Sequence, residues 1–548
     1  MKRTAAFWSR GARRRAVLIL GAVLFALGCA DEAAAAGVTL AWNANSEGDL
    51  ASYLVEYGPT AGQPSSFLVV PASLTRMRID NLQSGRRYYF RLRAVNASGV
   101  QSPVSTEVNG VASDTLPAAP TGSVNTYYAE GAAGFFDYRV AVLNTLSSET
   151  WLNVSYLREG SAPVLRSYSV GAGTRMTIWG DDVPELQGAS FAAVITAPAG
   201  VVSERTMRWR INGADGATGA KALGAPSTTW YLAEGNAGFF DTYVLLANPS
   251  ATATTATVDF LLDGGGVVRK VYTLGANARY TVWTNQIPEL AQRSFATTVT
   301  AAAPILCERA MYISGVHSQW EEGHASAAVP AGARNWFLAE GSTGAWFEMF
   351  VLISNPNSSA VTATIRYLTP SGVARTETRT LLATSRTTIP VDTLPGLGAT
   401  DVSVSIAASN NIIVERSMYW PGNPGPWYGA HNSVGITTLR TRYGLAEGEV
   451  GGPDGASTYV LLANPGTTAA NVTLTFYREA GAPIQVSRVV GAGSRQTVAA
   501  NSVGLSSGER FGVVVDSDQA IAVERSLYWN YQGVLWTSGT NETGTPLN

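Results

Sequence analysis

Lysine, histidine and cysteine are scarce in this sequence. Among 548 residues there are three His and two Cys, and charged side chains make up 14 %. After the N-terminal Lys2, only Lys221 and Lys270 are lysines. The cysteines, Cys29 and Cys307, cannot form a disulfide framework. A zinc site needs several ligands together, and histidines this few and this scattered do not supply them. No G-x-S-x-G, H-E-x-x-H or phosphate-loop motif is present, so no catalytic, metal or cofactor site is read from motifs. Sustained helical periodicity is missing too.

Apolar residues, by contrast, make up 46 % of the chain, with 56 Gly and 25 Pro. That mix suits short strands joined by many turns. At roughly 100–150 residues per domain the length allows four or five domains. Residues 1–36 read as a signal peptide. Six basic residues precede an apolar run of 12, Ala16 to Leu27, and small residues follow. A membrane span needs ~20. Two processing sites compete: an A-x-A tract at Ala34–Ala36, and "ALGC", which resembles a bacterial lipobox and would place a lipid anchor on Cys29. Arg14-Arg15 also permits a twin-arginine route. Without this leader the chain carries 32 basic and 38 acidic side chains, net −6. A mildly acidic surface argues against nucleic acid as a partner.

Residues 37–113 form a first unit. "VTLAW" and "YLVEYG" alternate as half-buried strands do. In "LQSGRRYYFRLRAVNASG", Leu82 stands six residues before Tyr88, and Tyr88, Phe90, Leu92 and Ala94 alternate. With Trp42 and Tyr53, this unit resembles a fibronectin type III domain. The resemblance implies Tyr88 as the tyrosine-corner residue and Trp42 as a core tryptophan. Its first strand is expected to be short or missing. "ASDTLPAAPTGS" reads as a linker.

The remainder repeats itself. A turn acid recurs as Glu130, Glu234, Glu340 and Glu447, in steps of 104, 106 and 107. Each unit closes on "VVSERTMRW", "ILCERAMYI", "IIVERSMYW" or "IAVERSLYW". Between lie an Asn (144, 248, 355, 464) and an Arg (175, 279, 386, 495). Asn to Arg is 31 in every unit, and Arg to the closing Glu is 29. Turn Glu to Asn varies: 14, 14, 15 and 17. All length variation therefore falls after Ala-Glu-Gly, as expected of a surface loop between fixed strands. Each unit offers six or seven short strands. The expected architecture is all-β: tandem immunoglobulin-like antiparallel sandwiches, beads on a string. The units are residues 125–210, 229–314, 335–420 and 442–530, joined by connectors of about 20 residues, with a tail at 531–548. The chain resembles large bacterial exported proteins that carry tandem "WYLAEG…NP…ER-MYW" repeats beside fibronectin type III domains. That resemblance implies no enzymatic activity.

Several residues are candidates for chemistry. On a strand, the Arg of "ER" falls in the apolar row and the Glu on the opposite face. A core-side Arg needs a carboxylate. The turn acids supply one per unit, so the expected structural ion pairs are Glu130–Arg205, Glu234–Arg309, Glu340–Arg416 and Glu447–Arg525. Cys307 aligns with Ser203, Val414 and Val523, and reads as a packed strand residue. A ligand loop is offered by Phe135, Asp137, Phe239, Asp241, Trp346, Glu348 and Asp454. The second aromatic of each loop pair (Phe136, Phe240, Phe347) reads as a cap on the sandwich core. Two carboxylates per unit could serve Ca²⁺ or glycoside hydrolysis, but Ser457 takes the acid's place in the last unit and no oxygen-rich loop is present. The expected function is that of a non-enzymatic exported adhesion or scaffold rod, presenting variable loops to a protein, matrix or envelope ligand. The alternative is a set of carbohydrate-binding accessory modules of a secreted polysaccharide-degrading system. A third reading is a hydrolase with an unrecognised site.

Overall fold

A computed structural model describes residues 36–45, 47, 49–158, 161–211, 213–313, 320–421 and 427–547. The leader expected at residues 1–36 and the lipid anchor expected on Cys29 lie outside the described residues, Ala36 aside. Among the described residues the chain is all-β, with six one-turn 3₁₀ segments and no α-helix. No helix among them is long and apolar enough to cross a membrane.

The first unit contains a two-stranded ladder, Ala36–Ala41 with Arg76–Leu82, and a four-stranded sheet built from Ser66–Pro71, Leu50–Gly58, Arg87–Asn96 and Val108–Val111. The first strand described, Ala36–Ala41, falls on the "VTLAW" segment itself. Its core holds Tyr53, Val55, Ile79 and Phe90. Trp42 stands edge-on to Tyr53 at 5.4 Å, and the Tyr88 hydroxyl accepts from the Gln83 amide at 3.2 Å.

Each repeat is built from two four-stranded antiparallel layers. In repeat 3 one layer runs Gly372–Leu381, Val361–Thr369, Ser403–Trp420, Ala333–Leu338. The other runs Ser385–Pro390, Glu348–Asn355, Ser403–Trp420, Gly429–Val434. One 18-residue strand, Ser403–Trp420, thus serves both layers. Repeats 2 and 4 use Arg293–Ile313 and Phe511–Tyr531 in the same way. In repeat 1 the equivalent strand is cut into Phe191–Pro198 and Val201–Ile211, because Gly200 turns the chain at φ 97°. The recurring Asn is a turn plug. Asn248 Nδ2 donates to Thr252 O (2.7 Å) and Gly275 O (2.8 Å), while its Oδ1 accepts from Ser250 N (3.0 Å).

The expected connectors and tail are not linkers. Ala214–Lys221, Glu322–Ala327, Gly429–Val434 and Val534–Thr543 are strands, each added to the edge of its repeat's second layer. The four pack on one another in cyclic order, the last against the first. The beads-on-a-string arrangement is therefore corrected: the four repeats close into a ring around these strands. Small side chains permit the approach. A Cβ on Gly219 would sit 2.9 Å from Thr540 Cβ.

Candidate functional site

The repeated motifs meet where one repeat abuts the next. In strand Ser403–Trp420 the row Ile412, Val414, Arg416, Met418 faces the repeat's own core, whereas Glu415 and Tyr419 project into repeat 2. Glu415 Oε1 accepts from Ala233 N at 2.6 Å, and Glu415 Oε2 lies 2.7 Å from Arg309 Nη1. The same step occurs at every junction. Glu308 meets Arg205 at 2.8 Å, Glu524 meets Arg416 at 3.3 Å, and Glu204 of repeat 1 meets Arg525 of repeat 4 at 2.7 Å. This last pair closes the ring across 321 residues of sequence.

The four "ER" arginines are wholly buried. Burial opposes their charge, yet Glu308 and Glu130 together hold Arg205 above its ordinary pKa. Glu415 and Glu234 do so for Arg309. The turn acids behave differently from unit to unit. Glu130 lies 2.9 Å from Arg205, and Glu234 lies 3.2 Å from Arg309. The other two expected partners are replaced. Glu340 faces Arg495 of repeat 4 at 3.8 Å, and Glu447 faces Arg139 of repeat 1 at 3.0 Å and accepts from Thr206. Arg416 and Arg525 instead bond Glu524 and Glu204. The ER carboxylate that strand alternation turns away from its own core finds its Arg in the preceding repeat, a partner hidden from any single-domain reading.

Buried polar groups extend the network. His324 Nε2 lies 3.2 Å from Tyr419 Oη, and His431 Nε2 lies 3.0 Å from Tyr528 Oη, each pair spanning a junction. Burial drives His324 down to about 4 and His431 well below its usual range, so both rings are neutral near pH 7. Burial likewise raises Cys307 and holds it as a thiol; Cys307 packs in the repeat 2 core.

The loop residues do not converge. Phe135 and Phe239 are 48 % and 50 % exposed. Their neighbours Phe136 and Phe240 are buried between repeats, against Tyr312 at 6.3 Å and Tyr419 at 5.7 Å, and Phe347 is half-buried 6.2 Å from Tyr528. They pack at the junction as well as on their own core. Asp241 accepts from Trp320 Nε1 and Glu348 from Trp427 Nε1, both at 3.0 Å. Trp346 is half-buried near Tyr428, at 6.5 Å. Burial raises the Asp137 carboxyl above its ordinary range. Asp454 lies 2.8 Å from Arg208 and 2.7 Å from Arg210, both of repeat 1.

Sequence reasoning missed the three tryptophans at these junctions. Trp320, Trp427 and Trp536 each stand four residues before His324, His431 or Thr540, and that fixed interval was the available signal. Trp320 stacks on Tyr312 at 4.8 Å, Trp427 on Tyr419 at 4.3 Å and Trp536 on Tyr528 at 4.7 Å. Trp320 and Trp536 hold φ of 62° and 52°, a conformation that bulky residues adopt rarely and that points to a local constraint. Among the described residues no group of three or more His, Cys, Asp or Glu is placed to hold a metal.

Comparison with known proteins covers the chain unevenly. Residues 27–111 match the fibronectin type III domain family. No curated protein matches the sequence. A Thermotoga maritima protein designated 1070 is similar to part of the structure. It has 11 % identity and a TM-score of 0.19, over 20 % of this chain and 94 % of that one. An α-L-rhamnosidase from Dictyoglumus thermophilum is similar at 7 % identity and TM-score 0.12, over 54 % of this chain and 46 % of that one. One from Streptomyces avermitilis, complexed with L-rhamnose, is similar at 10 % identity and TM-score 0.09, over 77 % and 56 %. The chain thus spans about half the length of these rhamnosidases. Because glycoside hydrolases recur among the similar structures, the firm reading of this chain as not an enzyme is withdrawn. At TM-scores of 0.09 and 0.12 the likeness assigns it no activity either.

Proposed function

We propose that the chain is an exported carbohydrate-binding protein, a fibronectin type III unit followed by four sandwiches of immunoglobulin-like outline, working beside a polysaccharide-degrading system. The observation that carries the reading is an exposed aromatic ring beside a fixed tryptophan, repeated at two junctions. Phe135 stands edge-on 6.1 Å from Trp320, and Phe239 edge-on 5.7 Å from Trp427. Aromatic faces of this kind stack on the apolar faces of sugars. The tryptophans are fixed by their hydrogen bonds to Asp241 and Glu348, so little ordering is required on binding. Two or more weak subsites on one chain gain by avidity on a repeating polymer. The presentation of loops expected of a rod becomes, in this reading, presentation around a ring. Retention of the mature chain on insoluble polysaccharides tests the proposal. Phe135→Ser with Phe239→Ser should abolish retention while leaving the melting temperature unchanged. Retention unaffected by the double substitution would sink it.

A further inference from the structure

The fibronectin unit, repeat 1 and repeat 4 meet around a cleft of about 570 Å³, lined by neither Phe135 nor Phe239. Clefts at domain junctions with apolar walls and a few convergent polar groups are the usual setting for small ligands, within roughly 300–1,000 Å³. Three units hold this one in shape. Asn81 Oδ1 of the fibronectin unit accepts from Arg166 of repeat 1 at 3.3 Å, and Arg76 lies 4.0 Å over the Trp151 ring. Arg175 of repeat 1 bonds Glu479 of repeat 4.

The lining has two characters. Tyr57, Met77 and Met176 give an apolar wall. Asp80 and Glu479 also line it, each already neutralised, by Arg78 at 2.6 Å and by Arg175. Paired carboxylates keep lone pairs that accept from hydroxyl groups. Arg510 differs from the other lining cations. Its buried Nε makes no hydrogen bond, and the side chain is 30 % exposed. The carboxylate paired with it, on Glu449, stands 3.7 Å away, beyond hydrogen-bond length. Its guanidinium is held 5.0 Å over the Trp179 ring, oriented but under-used. An apolar wall, hydroxyl acceptors and one under-used planar cation together describe an acidic sugar.

We propose that this cleft is a second carbohydrate site, which takes a short oligosaccharide bearing a uronate and seats the carboxylate on Arg510. The proposal rests on the carbohydrate reading above but uses different residues, so the two can fail separately. Titration calorimetry of the full mature chain with trigalacturonate, and with maltotriose as the neutral comparison, tests it. Trigalacturonate should bind and maltotriose should bind at least tenfold more weakly, because a bidentate charge-assisted contact is lost. Arg510→Gln should weaken trigalacturonate about tenfold or more. Met176→Trp, which fills the cleft from its apolar wall, should weaken both sugars. Phe135→Ser with Phe239→Ser should leave trigalacturonate unchanged. Binding of trigalacturonate that neither Arg510→Gln nor Met176→Trp alters would overturn the assignment. So would absence of that binding in a chain still retained on polysaccharide through Phe135 and Phe239.

Discussion

A buried glutamate–arginine pair crosses all four junctions of the ring; beyond it, three junctions are aromatic and the fourth adds further charge. Between repeats 1 and 2, 2 and 3, and 3 and 4, the residue three places after the ER arginine is Tyr312, Tyr419 or Tyr528, each under a stacked tryptophan. Between repeats 4 and 1 that residue is Arg208, which lies 4.5 Å over Trp529 and 2.8 Å from Asp454. Arg210 sits 4.8 Å over Tyr531, and Arg139 lies 3.0 Å from Glu447. Neighbours in sequence are held together by the chain, so the shared ion pair and aromatic packing suffice for them. The closing contact joins surfaces far apart in sequence. A head-to-tail interface that fails to close on itself generates open polymers. Complementary charge selects one partner and penalises the wrong one. We read the arginine-rich face of repeat 1 as the specificity device of ring closure.

The largest effect expected falls on the shared network. Arg309→Met strands Glu234 and Glu415 without their cation, and removing one partner of a buried pair costs about 3–5 kcal/mol. Hydrogen exchange should show repeats 2 and 3 loosening together; loosening confined to repeat 2 would mean the units are independent after all. Acid comes next. Burial holds His324 at about 4 in the fold, below its ordinary 6.5. Its folded value is depressed, so the unfolded chain binds the proton first. Stability is then lost as pH falls from about 6.5 to about 4, amounting to about 3 kcal/mol for this residue. His324→Gln should flatten that part of a pH–denaturation series, and an unchanged slope would place the acid sensitivity elsewhere. Asp454→Asn tests the closing junction alone. This pair is partly exposed, so the loss should be about 1 kcal/mol at low salt and shrink as salt is added. The same loss at all salt concentrations would argue for packing over charge. Smallest of all, Phe135→Ser should change stability by less than about 0.5 kcal/mol, and a larger loss would make it a structural residue.

Much of the fold was legible because it is local. Alternation gave the strands, the steps of 31 and 29 residues gave the repeat, and the position of Arg309 among Ile305, Cys307 and Met311 announced a buried cation. What was not legible is how the units associate. Glu415 looks like a surface residue by alternation, and only its neighbour in the ring shows where it goes. Strand Glu322–Ala327, "EGHASA", reads as a linker because its small polar residues suit a loop equally well. They are small because four strands converge there. The site divided in the same way. Phe135 and Phe239 were visible as loop aromatics, but Trp320 and Trp427, assigned to connectors, were not visible as their companions.

The central claim is that repeat 4 returns to repeat 1. A double-mutant cycle on Arg525 and Glu204 reads it most directly, because these residues touch only if the ring closes. Arg525→Met and Glu204→Gln should each destabilise the chain. The combined variant should be less destabilised than the sum by about 1.5 kcal/mol or more, since neither then leaves the other as an unpaired buried charge. Strict additivity, within about 0.5 kcal/mol, would contradict the ring.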